Sequence, residues 1–277
     1  MSIELIHGDA VDICRKRIKD GTVDLVISDP PFNIGFKYDE YDDNKSDKEY
    51  LQWSDEWIAE MGRVLKPEGA MWVCIGDKYA AEIRVQAKLL GFHLRSWVIW
   101  YFTFGVNCVN NFTPSHTHLL YFTKHETKFT FNASDLKVPS ARQLIYKDKR
   151  AKDGGRLPDN TWLLRPQNVE AEGGLSPDQD TWHLPRVAGT FKERAGYHGC
   201  QMPEAIMARI IKACSKPGEF VLDPFVGSGV SMIVAKKLDR CGMGIDISKN
   251  YITQGKKKLK AVNPGDAISG GDYYASK

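Results

Sequence analysis

Two short motifs carry the residues best suited to chemistry, and each follows an apolar run that predicts a buried strand. The first is Asp29-Pro30-Pro31-Phe32, after residues 23–28. The second is Asp223-Pro224-Phe225-Val226-Gly227-Ser228-Gly229, after residues 219–222. Open α/β sheets bind their ligands at the carboxyl ends of parallel strands. We therefore expect both motifs at one ligand-binding edge of a sheet.

The first motif has the groups needed to hold the amine of a nucleic-acid base. Two consecutive prolines stiffen the turn and remove two backbone donors, while Asp29 supplies an acceptor and Phe32 a flat stacking surface. An exocyclic amine is a poor nucleophile because its lone pair is delocalised into the ring. Hydrogen bonds to Asp29 and to the Pro30 carbonyl would favour the tetrahedral nitrogen that attacks a methyl sulfonium. Taken alone, the motif also fits a strand-ending turn capped by an aspartate.

The second motif has the pattern of a nucleotide-binding loop. Gly227 and Gly229 lack side chains, so the backbone N–H groups can approach a ligand closely. An acidic residue, Asp246, follows 17 positions after Gly229 at the end of another apolar run. A carboxylate there can accept hydrogen bonds from ribose hydroxyls, as in dinucleotide-binding folds. The alternative role for Asp246 is the N-cap of a helix that begins near Ser248, but the combined spacing favours the cofactor.

The two motifs, in this order and with a variable region between them, resemble the β group of S-adenosylmethionine-dependent DNA amino-methyltransferases. The resemblance covers residues 1–125 and 198–262. It implies S-adenosylmethionine as cofactor and catalysis by Asp29, Pro30, Pro31 and Phe32. It adds Gly8-Asp9-Ala10 as an acidic position of the cofactor pocket, and Gln201 in Gln201-Met202-Pro203 as a contact to the methionine end. Many members have lysine where this chain has Met202. The residues expected to contact the cofactor are Asp9, Ala10, Asp29, Gln201, Asp223, Phe225, Gly227, Ser228, Gly229 and Asp246.

Strand and helix patterns alternate at both ends of the chain, which predicts one α/β domain with a doubly wound, mostly parallel sheet. The family resemblance implies that this Rossmann-like sheet is circularly permuted and has a reversed final strand. Residues 127–197 lose the alternation and are predicted to be an inserted target-recognition region outside the sheet. We expect residues 1–126 to form the catalytic half, residues 198–262 the cofactor-binding half, and residues 263–277 a disordered tail.

Double-stranded DNA is the expected partner, and a stacked base must be flipped out before it can reach the cofactor. The insertion is rich in basic side chains that could contact phosphates, although such a cluster is also typical of a solvated face. The DNA-binding candidates are Lys147, Lys149, Arg150 and Lys152, with Lys137, Arg142 and Arg156 nearby. The lysines of residues 249–260 are the rival cluster. Trp162 and Trp182 are expected in small satellite cores rather than in base stacking.

Composition sets the class of protein and its surroundings. The chain has 277 residues, 42% of them hydrophobic, a net charge of +3 and six scattered cysteines. Reduced thiols, no apolar run of membrane-spanning length and no signal-peptide pattern predict a cytoplasmic protein without a membrane partner.

Three further sequence features receive structural interpretations. The pair His116-x-His118 has no companion ligands at zinc-like spacing, so we expect no metal. The acids of residues 39–49 are expected in a solvated loop or, alternatively, in a flap over the pocket. The aromatic run 97–104 is expected in the core, with its end bordering the base pocket.

The sequence predicts a DNA methyltransferase that acts on an exocyclic amine of a flipped base. In the family, aspartate at the first position of the Asp-Pro-Pro motif accompanies adenine N6 more often, so adenine N6 is favoured and cytosine N4 is the alternative. A catalytically silent DNA-binding protein and an RNA or small-molecule methyltransferase are the rival classes. A homodimer and a cognate restriction enzyme are candidate partners.

Overall fold

A single eight-stranded sheet organises the part of the chain that the computed structural model describes, residues 2–102, 108–138, 147–150, 155–162 and 196–269. The strands are β1 (Ile3–His7), β2 (Val23–Ser28), β3 (Leu65–Ile75), β4 (His93–Tyr101), β5 (His116–Thr123), β6 (Thr161–Trp162), β7 (Phe220–Asp223) and β8 (Cys241–Asp246). The helices are α1 (Ala10–Arg17), α2 (Asp47–Val64), α3 (Ala80–Leu89), α4 (Glu204–Cys214), α5 (Val230–Lys237) and α6 (Lys249–Lys260), with a 3-10 turn at Ala133–Leu136.

The strand order is β1-β8-β7-β2-β3-β5-β4-β6, and of these described strands only β5 is antiparallel to its neighbours. The predicted mostly parallel sheet is therefore confirmed, but the reversed strand, β5, lies between β3 and β4 and is not the final strand of the chain. The second motif follows β7 and the first follows β2, and these two strands are adjacent and parallel. Their carboxyl ends consequently lie side by side at one edge of the sheet.

Both faces of the sheet are covered, because alternate residues of each central strand point to opposite sides. In β3, Trp72 and Cys74 pack into the core shared with α4, α5 and α6. Val73 and Ile75 pack into the core shared with α1, α2 and α3. Since both faces are apolar, the ends of the strands are left as the place for polar chemistry.

Local sequence determines where the helices begin and end near that edge. Ser46 and Glu49 form a capping box at the start of α2, in which each side chain accepts a hydrogen bond from the other residue's backbone N–H. Asp9 caps α1 by accepting the Asp12 N–H at 3.0 Å. Ser248 caps α6. The caps at Asp9 and Ser248 come two residues after β1 and β8, so they fix the short turns that follow these strands.

Parts of the inserted and terminal segments pack closer to the sheet than predicted. Thr161 and Trp162, inside the segment expected outside the sheet, pair with β4 as the parallel edge strand β6. The start of the tail expected to be disordered also packs on the fold. The Ser269 N–H bonds Glu204 at 2.8 Å, and Lys237 donates to the Ala267 carbonyl at 2.8 Å.

The sequence Lys66-Pro67-Glu68-Gly69 predicts a break between a helix and the next strand, but these residues lie within β3, beside a shift in its register with β2. Among the described residues, no helix has the length and apolar character that crossing a bilayer requires.

Candidate active site

A cleft of about 690 Å³ lies at the carboxyl ends of β1, β2, β3, β7 and β8. This volume is in the range typical of small-molecule sites. Most of the predicted cofactor and catalytic residues line it, namely Asp9, Ala10, Asp29, Pro31, Phe32, Gln201, Asp223, Phe225, Gly227, Ser228 and Asp246. Two predicted site residues, Pro30 and Gly229, are not part of the lining.

The glycine loop after β7 is held by a carboxylate from β8. The Gly227 N–H donates to Asp246 Oδ2 at 2.9 Å, and the Ser248 N–H donates to Oδ1 at 2.8 Å. Burial raises the pKa of Asp246. Asp246 is not the cap of α6, because the side chain of Ser248 makes the capping bond to the Tyr251 N–H. Each oxygen of Asp246 keeps a lone pair that can still accept from a ligand.

Glycine is required at Gly227 and at Gly229 for different physical reasons. Gly227 lines the cleft at φ 43°, and a Cβ there would lie 2.7 Å from His198 Nε2. Gly229 takes φ 82° at the start of α5, where a Cβ would make only ordinary contact. Gly229 is therefore needed for the turn of the backbone, and it is not part of the cleft lining.

Asp223, the last residue of β7, fixes the start of the same loop through two hydrogen bonds. Its Oδ1 accepts the Phe225 N–H at 2.9 Å, and its Oδ2 accepts the Ser231 hydroxyl of α5. Burial raises the pKa of Asp223 to about 7, although both hydrogen bonds act in the opposite direction. The carboxyl thus joins the end of β7 to the start of the next helix and fixes the direction of the loop.

The segment before α4 closes the cofactor side of the cleft. Gln201 and Met202 are 7% and 5% exposed and both line the cleft. Because Met202 packs into the apolar core, this position provides no cation for a carboxylate ligand. His198 packs edge-on against Tyr251 at 4.9 Å, and burial lowers its pKa to about 4. His198 was not identified from the sequence, because no local pattern connects it with Gly227.

Asp29 follows β2 and lies beside Cys74 of β3, one step beyond the Ser28–Val73 pair. The Cys74 thiol donates a hydrogen bond to the Asp29 carboxyl. Burial raises the pKa of Asp29 to about 7, and the thiol bond offsets part of this rise. A carboxylate at this position is a stronger proton acceptor than an exposed one.

The rest of the first motif is fixed from both sides. The Tyr50 hydroxyl of α2 donates to the Pro31 carbonyl at 2.7 Å. Phe32 packs on Gly76, where an added Cβ would lie 3.0 Å from the ring. The motif therefore has a fixed backbone, and one aromatic ring is held against the end of β3.

The acid-rich stretch after the motif is an ordered wall of the cleft, so the expected solvated loop is wrong for its central residues. Asp43 is only 3% exposed and accepts the N–H groups of Asn33, Ile34 and Phe36 at 2.8–3.1 Å. Asp39 accepts the Ser248 hydroxyl at 2.6 Å and so joins the loop to the cofactor side. Of residues 39–49, Glu40 and Tyr41 line the cleft, which agrees with the alternative expectation that part of this segment borders the pocket.

The histidine pair has a companion that its sequence spacing does not reveal. Asp77 follows β3, and its Oδ1 lies 3.1 Å from His116 Nε2 and 2.7 Å from His118 Nε2. The three side chains form a group that could hold a metal ion. Asp77 and His116 line the cleft, as do Trp100 and Phe102 of the predicted aromatic border.

Comparison with known proteins identifies the family. Residues 23–257 match the family model described as DNA methylase. This chain belongs to the DNA methylase family.

Two curated relatives support the same assignment. The methylase is 38% identical over 260 residues to the type II methyltransferase M.HpaI of Haemophilus parainfluenzae, covering 94% of this chain and 74% of that protein. It is 33% identical to the DNA adenine methyltransferase YhdJ of Escherichia coli K12, covering 92% and 82%.

A solved structure shows the same fold at low identity. The PvuII DNA methyltransferase, named as cytosine-N4-specific, superposes with a TM-score of 0.65 at 15% identity, covering 93% of this chain and 86% of that one.

Family membership also gives S-adenosylmethionine as the cofactor of the methylase, and the electrostatics of the cleft fit it. Six carboxyl groups line the described cleft against a single lysine, Lys78. Such a lining favours a cationic sulfonium, and its acceptors suit ribose hydroxyls and amines. The acids are Asp9, Asp29, Glu40, Asp77, Asp223 and Asp246.

The described residues among the predicted DNA contacts are not part of the cleft lining. Lys147, Lys149 and Arg150 are exposed, and Arg150 pairs with Asp148 at 2.9 Å. Lys152, Arg142 and Trp182 lie outside the described residues, as does the side chain of Trp162. Their expected roles therefore stay predictions.

Proposed function

We propose that this methylase transfers a methyl group to the N6 amine of a flipped adenine in double-stranded DNA. One observation carries the proposal: Asp29 lies in the same cleft as the Gly227–Asp246 pair, across the neighbouring ends of β2 and β7. An acceptor suited to an amine thus lies beside groups suited to a nucleoside cofactor.

The residues of the first motif bind the amine and accept its proton. Asp29 accepts one amine hydrogen and the Pro30 carbonyl the other, which draws the nitrogen towards a tetrahedral shape. Phe32 supplies a face for the base ring. After attack, the nitrogen carries one hydrogen too many, and a carboxylate whose pKa has been raised to about 7 can accept it.

The cofactor-binding residues bind and orient S-adenosylmethionine at the other end of the cleft. The backbone at Gly227 approaches the ligand because no Cβ intervenes, and Asp246 accepts from the ribose hydroxyls. Asp9, Gln201, Phe225 and Ser228 complete this part of the wall. S-adenosylmethionine, when bound, supplies the electrophilic methyl group and a thioether leaving group.

Adenine is preferred to cytosine on the strength of the motif and of one relative. In the resembling family, aspartate at the position of Asp29 more often accompanies adenine N6, and the E. coli relative is named an adenine methyltransferase. Asp29 itself contacts only an exocyclic amine, which both bases carry. Cytosine N4 methylation is therefore the second outcome that the experiment must be able to detect.

The proposal extends to the partners and the location. Residues 127–197 form the target-recognition region, and Lys147, Lys149, Arg150 and Lys152 contact phosphates. Because the relative M.HpaI is named a type II methyltransferase, we include a cognate restriction enzyme as a partner. We also propose that the protein forms a homodimer and that it acts in the cytoplasm. Sedimentation of the purified protein with and without DNA tests the dimer.

The decisive experiment combines cofactor binding with identification of the product. Calorimetry should show S-adenosylmethionine binding, and tritiated methyl groups should enter unmethylated duplex DNA but not RNA. Mass spectrometry of the digested DNA should find N6-methyladenine, and sequencing should give its sequence context. The Asp29→Ala protein is the control for contaminating activity. N4-methylcytosine would replace the adenine assignment, and cofactor binding without any transfer to DNA would overturn the function.

A further inference from the structure

A second cluster of polar side chains lies at the same sheet edge as Asp29, on the side away from the cofactor. Strand β5 runs antiparallel to β3 with His118 opposite Ile75, so β5 begins where β3 ends. His116 and His118 therefore lie next to Asp77, two residues beyond the end of β3. Neighbouring strands are about 4.8 Å apart. The start of β5 is thus about 10 Å from the end of β2, where Asp29 lies.

The hydrogen bonds of His118 determine which of its nitrogens carries hydrogen. The indole N–H of Trp97 donates to His118 Nδ1 at 2.8 Å, and an indole can only donate. Nδ1 is therefore unprotonated and the hydrogen is on Nε2, which donates to Asp77 Oδ1 at 2.7 Å. With its side chain 12% exposed, His118 is fixed between the two partners.

The same Asp77 oxygen holds His116, which faces the cleft. His116 Nε2 lies 3.1 Å from Asp77 Oδ1, and the two imidazole rings are nearly perpendicular, at 82°. The side chain of His116 is 34% exposed. His116 is thus a polar ring in the cleft wall, fixed at one nitrogen while its other ring atoms stay accessible.

A metal ion is the obvious alternative occupant of this cluster, and Trp97 disfavours it. A histidine that binds a metal through Nε2 carries its hydrogen on Nδ1, and that hydrogen normally points at an acceptor. Here Nδ1 meets the N–H of Trp97, so metal binding would place two hydrogens against each other. The observed bonds fit a hydrogen-bonded chain that ends at His116.

We propose that His116 contacts the ring of the flipped base, and that Asp77, His118 and Trp97 position it for this role. The inference rests on the proposed function. Asp29 and the Pro30 carbonyl hold only the amine, and Phe32 stacks on one face of the ring, so the ring could still rotate within its own plane. A second contact, from His116 to the edge of the ring, would fix the orientation of the amine, which methyl transfer requires. His116 would then help determine which base is accepted.

The test compares His116→Ala with His93→Ala, a histidine at the opposite end of the sheet, where β4 begins. The substrate is a duplex carrying the sequence context found by sequencing. For His116→Ala we expect a KM for DNA at least tenfold higher and a lower kcat, with unchanged cofactor affinity and melting temperature. His116→Gln should recover part of the loss. Trp97→Phe, which keeps a ring but removes the N–H, should give a smaller change of the same kind. His93→Ala should match the wild type.

Several outcomes would overturn the inference. Wild-type kinetics for His116→Ala would exclude a contact with the base, and an equal loss of cofactor affinity would indicate a general disturbance of the cleft. Loss of activity on chelation, restored by Zn²⁺ alone, would assign the cluster to a metal. A wild-type protein that methylates no DNA would overturn this inference and the proposed function together, whereas failure of the inference alone leaves wild-type transfer intact.

Discussion

The two ends of the cleft are built differently. At the cofactor end, the carboxylates of Asp223 and Asp246 accept hydrogen bonds mainly from backbone N–H groups of the loops after β7 and β8. Asp223 also accepts the hydroxyl of Ser231. At the base end, Asp77, His118 and Trp97 bind one another through side chains that come from three separate elements. The donors at the cofactor end are backbone N–H groups, which every residue except proline carries, whereas each bond at the base end depends on the side chains of both partners.

The largest effect should come from the base end, at Asp29. Asp29→Ala removes the acceptor for the amine, so methyl transfer should fall by on the order of 10²–10⁴-fold. Calorimetry should give a nearly unchanged affinity for S-adenosylmethionine, because Asp29 acts on the base. Asp12→Ala, on the exposed face of α1, is the control. A parallel loss of cofactor affinity and activity would place Asp29 at the cofactor end of the cleft and would contradict the division of the cleft into a cofactor end and a base end.

The next largest effect should be at Gly227 in the cofactor end. Gly227→Ala introduces a Cβ 2.7 Å from His198 Nε2 at a positive φ. We expect cofactor affinity to fall by on the order of 100-fold, measured by calorimetry. Gly91→Ala is the matched control, since its φ is 88° with no atom within 4 Å of the added Cβ. If the two variants lose cofactor affinity equally, backbone strain alone explains the result.

A moderate effect is expected at Asp246. Asp246→Asn keeps one acceptor oxygen but turns the other into a donor that faces a backbone N–H. Binding should weaken by about 1–2 kcal/mol, or roughly 5- to 30-fold. Removal of the ribose hydroxyls from the cofactor should weaken binding to the wild type more than to this variant. Equal losses for both proteins would contradict a contact between Asp246 and the ribose.

Both ends should make stability depend on pH in the same direction, because burial raises the pKa of Asp223 as well as that of Asp29 to about 7. A substitution at Asp29 isolates the contribution of the base end. Burial raises the pKa of Asp29 from 3.8 to about 7, so the folded protein binds this proton more tightly than the unfolded chain. The favourable contribution of protonated Asp29 is complete below pH 4 and is lost as the pH rises through 7. Asp29→Asn avoids this loss. Between pH 5 and pH 8, the free energy of unfolding of Asp29→Asn should therefore rise relative to that of the wild type by on the order of 2–3 kcal/mol. A constant difference in urea titrations across this range would refute the raised pKa.

The smallest and most distributed effect concerns the DNA-binding surface beyond the cleft. Replacing Lys147, Lys149, Arg150 and Lys152 with alanine should flatten the salt dependence of DNA binding, by about 0.9 in the log–log slope for each phosphate that is no longer neutralised. The matched variant replaces Lys256, Lys257, Lys258 and Lys260 of α6, which packs near β1 at the other edge of the sheet. A flatter slope for the α6 variant alone would move the DNA surface to that edge.

The contrast between the ends also explains what the sequence could predict. The motifs at Asp29 and Gly227 are short runs whose chemistry is local, and the alternation of strands and helices was enough to place them together. Asp77 and His118 are 41 residues apart and meet only because β5 reverses beside β3. No spacing rule connects them, so the histidine pair had no visible third member. Asp43 was misjudged for the same reason, since its role depends on the backbone donors that its loop folds around it.

The most direct test of the central claim, that one cleft has a cofactor end and a base end, is a crystal structure with S-adenosylhomocysteine. We predict electron density for the ribose at Asp246, for the adenine ring beside Phe225, and for the sulfur on the side facing Asp29. The part of the cleft around Asp77 and His116 should stay free for a base. A nucleoside bound against His116, with the Gly227 loop empty, would contradict the account.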